Sequence, residues 1–293
     1  MARSELRRAE NVAGDFYVDT SCIDCGTCRW MAKDIFSRSG GMSNVYKQPE
    51  NEMDKLRAMQ ALIACPTFSI GQESKNRSLR EKGEESFPNP VGENVYHMGY
   101  HSEKSFGAAS YLITREDGNI MVDSPRFSKK LADKLHSLGG IKWLFLTHRD
   151  DVADHEKFRE EFSCTRILCE TDAKPSTNSI EILFNESNIP QLGEDIEIIT
   201  VPGHTQGHSV LNYNKQYLFT GDHLAYSPSL ANLYAFRTAC WYSWPEQITS
   251  MQKLQHYQFT AVLPGHGHPL QANSVQEMQQ QLEKCIQWMQ EKS

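Results

Sequence analysis

Apolar positions along the chain follow two rhythms. Between residues 52 and 64 they recur as Met53, Leu56, Met59, Leu62 and Ile63. That three-to-four spacing predicts a helix, ended where Pro66 removes a backbone donor. From residue 94 onward, short apolar runs alternate with polar turns. Strands are predicted at 95–98, 110–113, 120–122, 143–146, 166–169, 196–201, 210–213, 217–220 and 261–263. Helical spacing returns at 129–138, 155–162, 246–255 and 275–289. The last of these opens with Ser274 and Glu277, a capping-box pair, and carries Val275, Met278, Leu282, Ile286 and Met289 on one stripe.

This rhythm divides the chain. Residues 1–71 form a small first domain, with an extended entry at 15–19 leading into a run of cysteines. Residues 72–93 are charged and polar, with Pro88 and Pro90 near their end, and are expected to be a linker. Residues 94–293 mix strands and helices as an α/β layered domain does. At 293 residues the chain is long enough for a large core and a small one. There is no apolar run of membrane-spanning length, and the charged N-terminal segment does not read as a secretory signal. The net charge of -7 argues against nucleic acid as a partner. Neither a nucleic-acid nor a membrane partner is expected.

The eight cysteines change the picture more than the charge does. Cys22, Cys25 and Cys28 stand two residues apart, and Cys65 follows at a distance, directly before Pro66. Three evenly spaced thiolates and a distant Cys-Pro are the ligand set of an iron–sulfur cubane. Four cysteines also suit structural zinc, but zinc sites usually come as two Cys-x-x-Cys knuckles. Cys164, Cys169, Cys240 and Cys285 are scattered and read as small buried apolar residues, so a reducing, cytoplasmic setting is expected. The cysteine run, the following Asp34-Ile35-Phe36 and the closing run 65–70 resemble a bacterial-type ferredoxin with a single [4Fe–4S] cluster, over about residues 15–71. The resemblance implies a small α+β ferredoxin-like domain.

A second set of candidate ligands stands where predicted strands end. Asp123 follows 120–122. His148, Asp150, Asp151, Asp154 and His155 follow 143–146. His204 and His208 follow 196–201, Asp222 and His223 follow 217–220, and His266 and His268 follow 261–263. Imidazoles and carboxylates held on loops by rigid strands suit an open catalytic metal site. Four strands each running into such a ligand make a stronger signal than any one histidine. The set resembles the metallo-β-lactamase superfamily across about residues 94–270. That resemblance implies an αβ/βα sandwich and two divalent metal ions (iron, zinc or manganese). It assigns His148, Asp154, His155, His204, Asp222 and His266 as ligands, with Asp222 bridging and Asp154 also orienting the nucleophile. Asp123 becomes a structural aspartate, and His208, His223 and His268 lie outside the ligand set. The superfamily's His-x-His-x-Asp-His is broken here by two extra residues. Either Asp150 or, less favourably, Asp151 replaces the missing histidine, or the first site is one ligand short. A carboxylate there is similar to the flavodiiron branch and shifts preference towards iron or manganese.

Two functions follow as expectations. The first is a metal-dependent hydrolase of a small-molecule substrate, with water activated at a dinuclear centre and Asp154 and Asp222 as catalytic residues. The second is a flavodiiron-like oxidoreductase in which the cluster feeds electrons to a non-haem di-iron site. That reading brings in a redox donor protein and an acceptor such as O2 or NO. The aromatic loop 236–245 is either core packing or a pocket wall in which Arg237 holds an anion. His101, Lys104 and Ser105 are further candidates for lining the cleft.

Overall fold

The computed structural model describes residues 2–292. The N-terminal unit holds β1 (Phe16–Val18), α1 (Thr27–Met31), the hairpin β2 (Phe36–Ser39) and β3 (Met42–Val45), α2 (Glu52–Ala64) and β4 (Ile70–Gln72). β1 and β4 pair antiparallel, with Val18 opposite Ile70. α2 starts at Asn51, whose side chain accepts a 2.9 Å hydrogen bond from the Asp54 N–H. That cap satisfies one of the donors a helix leaves orphaned at its first turn. α2 ends where expected, so that Cys65 stands at its C-terminus.

Residues 72–93, expected as a linker, are folded. They form α3 (Arg77–Glu85) and β5 (Asn89–Gly92). Their polar composition hides two buried anchors, Leu79 and Phe87. α3 lies so close to α2 that a methyl group on Gly83 would meet Met59 and Ile63 at 2.6 and 2.8 Å. Pro90 is tolerated in β5 because that strand is the sheet's edge.

The second unit continues with β6 (Val95–His97), β7 (Tyr111–Ile113), β8 (Ile120–Val122), α4 (Lys129–Ser137), β9 (Trp143–Phe145), α5 (His155–Phe162), β10 (Thr165–Cys169) and β11 (Ile182–Phe184). These strands and β5 make a seven-stranded sheet in the order β11-β10-β9-β8-β7-β6-β5. Next come β12 (Ile196–Thr200), β13 (Ser209–Tyr213), β14 (Tyr217–Gly221), β15 (Ala225–Ser227), β16 (Asn232–Tyr234), α6 (Trp244–Leu254), β17 (Ala261–Pro264), β18 (Leu270–Gln271) and α7 (Val275–Glu291). Five of these strands form a second sheet, β12-β13-β14-β17-β18, and β15 pairs with β16 as a separate ribbon.

The two sheets pack face to face through Tyr111, Ile113, Phe145, Leu211 and Phe219. Successive residues of a strand point to opposite faces. Phe145 therefore enters this inner core, while its neighbour Leu144 packs outward with Leu131, Leu135 and Phe158 of α4 and α5. On the far side, Met251, Leu254, Met278 and Leu282 of α6 and α7 cover Val210, Leu218 and Val262. The result is four layers, helix–sheet–sheet–helix. The outer cluster under α4 and α5 continues without a break into Phe16, Ile35, Met59 and Phe87, so the N-terminal unit shares a core with the larger one. Among the described residues no helix is long and apolar enough to cross a membrane.

Candidate metal centre and cluster cradle

The N-terminal unit brings its four predicted cysteines together. Cys22 and Cys25 lie in the loop before α1, Cys28 in its first turn, and Cys65 at the end of α2. All four are free thiols, Cys28 and Cys65 buried and the other two partly so. Burial pushes Cys25, Cys28 and Cys65 up from the ordinary thiol range. The charge of neighbouring cysteines pushes Cys25 and Cys28 further, whereas backbone N–H groups and the Thr67 hydroxyl pull Cys65 partly back. Backbone turning through the left-handed region at Asp24 and Gly26 wraps the loop round the cradle. The Ser69 N–H donates to Cys65 Sγ at 3.3 Å. Soft anionic sulfur, shielded from water and met by a backbone donor, fits a [4Fe–4S] cluster held by these four residues.

In the larger unit, four loops converge at one end of the sandwich. β9 leads into His148, Asp150 and Asp151, β12 into His204, β14 into Asp222, and β17 into His266. Asp222 lies at the middle. Its Oδ2 is 3.8 Å from both His148 Nε2 and His204 Nε2, and its Oδ1 is 2.7 Å from His266 Nδ1. Asp150 Oδ2 stands 3.9 Å from His204 Nε2. Potential ligand atoms of His148, Asp150 and His204 all lie within 4.8 Å of one another, as do those of His148, Asp151 and Asp222. Gly265 makes the crowding possible, since a Cβ there would fall 2.8 Å from Asp151 Oδ2 and 3.2 Å from Asp222 Oδ1.

The electrostatics report the same crowding. Burial by itself would raise the Asp222 carboxyl, but the charge and hydrogen bond of His266 hold it well below the usual range. Burial would lower His266, and Asp222 instead raises it to about 10. Asp151 is pushed far up by burial and by the Asp222 charge, and burial pushes His148 down to about 4. His148 Nε2, both ring nitrogens of His204, and Asp151 Oδ2 are buried without a hydrogen-bond partner. Such atoms are costly unless something binds them. A donor set of imidazoles and carboxylates with orphaned, converging lone pairs fits divalent cations.

Two residues predicted as ligands are elsewhere. Asp154 is the N-cap of α5 and His155 its first residue. Asp154 accepts from Lys104 Nζ and the Phe127 N–H, each at 3.0 Å, and pairs with Lys157. His155 Nδ1 meets the Arg166 guanidinium at 3.0 Å. The two extra residues after Asp151 carry the Asp-His pair out of the loop and into the helix. Asp151, rather than Asp154, stands beside Asp222, and Asp150 stands beside His204.

Several supporting residues surround the floor. Asp123 accepts from the Thr147 N–H at 2.8 Å and the Thr147 hydroxyl at 3.0 Å, and burial raises its carboxyl to about 7. The His208 ring stacks on His148 at 4.8 Å, and its Nε2 accepts from the Asp222 N–H at 3.2 Å. Asp172 ties two of the loops together by accepting from the Arg149 N–H, the Thr205 hydroxyl and the Gly207 N–H. No sequence signal marks Asp172, a lone acid after β10. His223 is buried beside His208.

Above the floor lies a cleft of about 1370 Å³. One side is aromatic, with Tyr226, Tyr234, Phe236 and Trp241. The N-terminal unit contributes another side, with Cys25, Arg29, Trp30 and Arg38. Lys104 and Ser105 line the cleft as expected. His101 does not: it is buried against His97, with its Nδ1 2.6 Å from the Gly107 carbonyl. Arg237 packs over the Trp244 ring at 5.1 Å instead of facing the cleft. Gly107 has φ +87, and a Cβ there would meet Cys25 Sγ at 2.9 Å. Its neighbour Phe106 directs a carbonyl to His266 Nε2 at 3.4 Å. One short segment thus touches both sites.

Comparison with known proteins bears on each unit. Residues 18–72 match the family described as the 4Fe-4S single cluster domain of Ferredoxin I. Over 140 residues the chain is 25% identical to an uncharacterized protein, YmaE of Bacillus subtilis, covering 47% of this chain and 51% of that one. Over 122 residues it is 29% identical to a hydroxyacylglutathione hydrolase of Salmonella paratyphi A, covering 39% and 46%. The chain therefore spans about half the length of the curated relatives it matches. Among solved structures, VMB-1 superposes with a TM-score of 0.51 at 18% identity, over 67% of this chain and 95% of that one. The B3 metallo-β-lactamase BLEG-1 gives 0.50 at 16%, over 64% and 96%. These superpositions establish the fold.

Proposed function

From a chain that joins a [4Fe–4S] single-cluster domain to a metallo-β-lactamase fold, we propose a metal-dependent hydrolase with a dinuclear centre. One observation carries this reading: three histidines and three aspartates from four loops crowd one cleft floor, and ligand atoms of His148, His204 and Asp151 are buried there without a partner. His148, Asp150 and His204 would hold one ion, and Asp151 and His266 the other, with Asp222 between them. Ions held there lower the pKa of a coordinated water towards neutrality and polarise a carbonyl. The protein supplies the rest. Asp123, His208 and Asp172 fix the loops, and the aromatic wall excludes water. Burial and the Asp222 charge push the Tyr234 hydroxyl up to about 12, so it stays a donor for the developing oxyanion. The likeness to a hydroxyacylglutathione hydrolase makes an acyl thioester the first substrate class to try.

The test is a screen of metal-loaded protein against thioesters, lactones and phosphodiesters. Thioester turnover that Asp222→Ala abolishes is expected, and no turnover of any class by fully loaded protein overturns the proposal.

A second reading, the di-iron oxidoreductase, draws on the three carboxylates at the floor and on Cys25 lining the same cleft. Anaerobic reduction followed by exposure to O2 or NO separates the two readings. A reoxidation rate unchanged in Asp222→Ala counts against the oxidoreductase.

A further inference from the structure

The cleft is more basic than the chain that carries it. The sequence has a net charge of -7, yet Arg29, Arg38, Lys104, Arg149 and Lys174 all line this one cavity. Most of these cations are already engaged. Lys104 pairs with Asp154 at 3.0 Å, and Lys174 with Asp150 at 3.0 Å. Arg29 and Arg38 share a single carboxylate, Asp24, each at 2.7 Å, which leaves one positive charge unbalanced on the wall built by the cluster unit.

Arg149 differs from all of them. It stands between His148 and Asp150 on the floor loop, and its backbone N–H is fixed by Asp172 at 3.1 Å. Among the described residues its guanidinium has no acidic partner, and its Nε is buried without a hydrogen bond. A guanidinium is never neutral and offers a planar fork of donors matched to an oxyanion. A buried N–H of this kind without an acceptor costs free energy until a ligand supplies one. Its sequence neighbour Asp150 does not serve, because that carboxylate is turned to Lys174 and His204.

We propose that the cleft takes an acyl substrate with an acidic tail, carboxylate or phosphate, and that Arg149 binds the tail. The unbalanced Arg29–Asp24–Arg38 group on the cluster unit's wall draws the same tail into the cleft. The cluster-bearing unit then helps to select the substrate, in addition to carrying its cluster. Arg149 is a specificity residue on this view and takes no part in bond cleavage. This inference deepens the hydrolase reading and rests on it for the word acyl.

The experiment uses metal-loaded full-length protein and non-hydrolysable thioether analogues of a short acyl thioester. One analogue ends in a carboxylate, one in a phosphate, and one in a neutral methyl group. Calorimetric titration reads affinity without turnover. Arg149→Ala is expected to weaken the acidic analogues by about tenfold to a hundredfold relative to the neutral one. Arg149→Lys should recover part of that loss, and the preferred head group identifies the tail. Arg38→Ala, at an exposed side chain, should give a smaller loss in the same direction. Equal losses for acidic and neutral analogues, or none, overturn the proposal. Absence of thioester turnover in wild type would sink the hydrolase reading while leaving this binding difference measurable.

Discussion

At the scale of single residues, the two neighbouring Asp-containing pieces of the β9 loop make opposite predictions. Asp151 has a buried, unpartnered oxygen beside Asp222, whereas both Asp154 oxygens are taken by Lys104 and the Phe127 N–H. Asp151→Asn keeps the shape but removes a charged donor, so metal analysis should find at least tenfold weaker binding of one ion, given that even outer partners of ligands are worth about that much. Asp154→Asn should keep the full metal content. Retention in the first variant and loss in the second would reverse the assignment. The sequence makes His148, His204, Asp222 and His266 easy to find, because each follows an apolar strand of clear rhythm. It misdirects at Asp154-His155, since matching a familiar Asp-His pair ignores that α5 starts there and that Asp154 caps it. Asp172 was invisible for a different reason. Its role comes from accepting three hydrogen bonds across loops distant in sequence, which no local spacing records.

At the scale of elements, the helix that displaces His155 is anchored by an ion-pair group linking β10 to the start of β11. Arg166 on β10 donates to both oxygens of Glu181 and also meets His155. Burial would raise the Glu181 carboxyl, but the Arg166 hydrogen bonds outweigh it and hold it at about 2, against an ordinary 4.5. The folded state thus binds fewer protons at this site than the unfolded state, and its stabilisation is complete above pH 4.5 and lost as pH falls towards 2. Glu181→Gln should therefore unfold at lower urea than wild type at pH 7, with the difference shrinking through that window. A difference that stays constant down to pH 2 would show that the carboxylate charge contributes nothing. Legibility at this scale followed apolar rhythm more than length. α2, α6 and α7 carry enough apolar turns for periodicity to show, while β11 and the β15–β16 ribbon are short, α3 is polar, and all three are stabilised by what they pack on.

At the scale of the molecule, the question is whether the cluster-bearing unit stands alone. Domains of about 70 residues bury too little surface to be more than marginally stable by themselves. Here the small unit does not have to be, because Phe16, Ile35 and Met59 continue into Phe87, Leu112, Met121 and Leu144 as one apolar cluster. Phe87 is the keystone by position. It is 1% exposed, lies in the segment whose composition suggests a linker, and its ring contacts His97 and Tyr100 edge-on at 5.9 and 5.8 Å. Emptying that position should cost about 3–5 kcal/mol through lost burial and a residual cavity. If the core is shared, that cost falls on both units at once. Phe87→Ala should lower the denaturation midpoint of the cluster's visible absorbance and of the far-ultraviolet helix signal together. Two midpoints that separate, with only the cluster signal shifted, would mean that the units fold apart and the common core does not couple them. Coincidence matters for function as well. A wall of the cleft that melted independently of its floor would not hold Arg38 and Cys25 in register with Asp222, and a ligand spanning both would find only half a site.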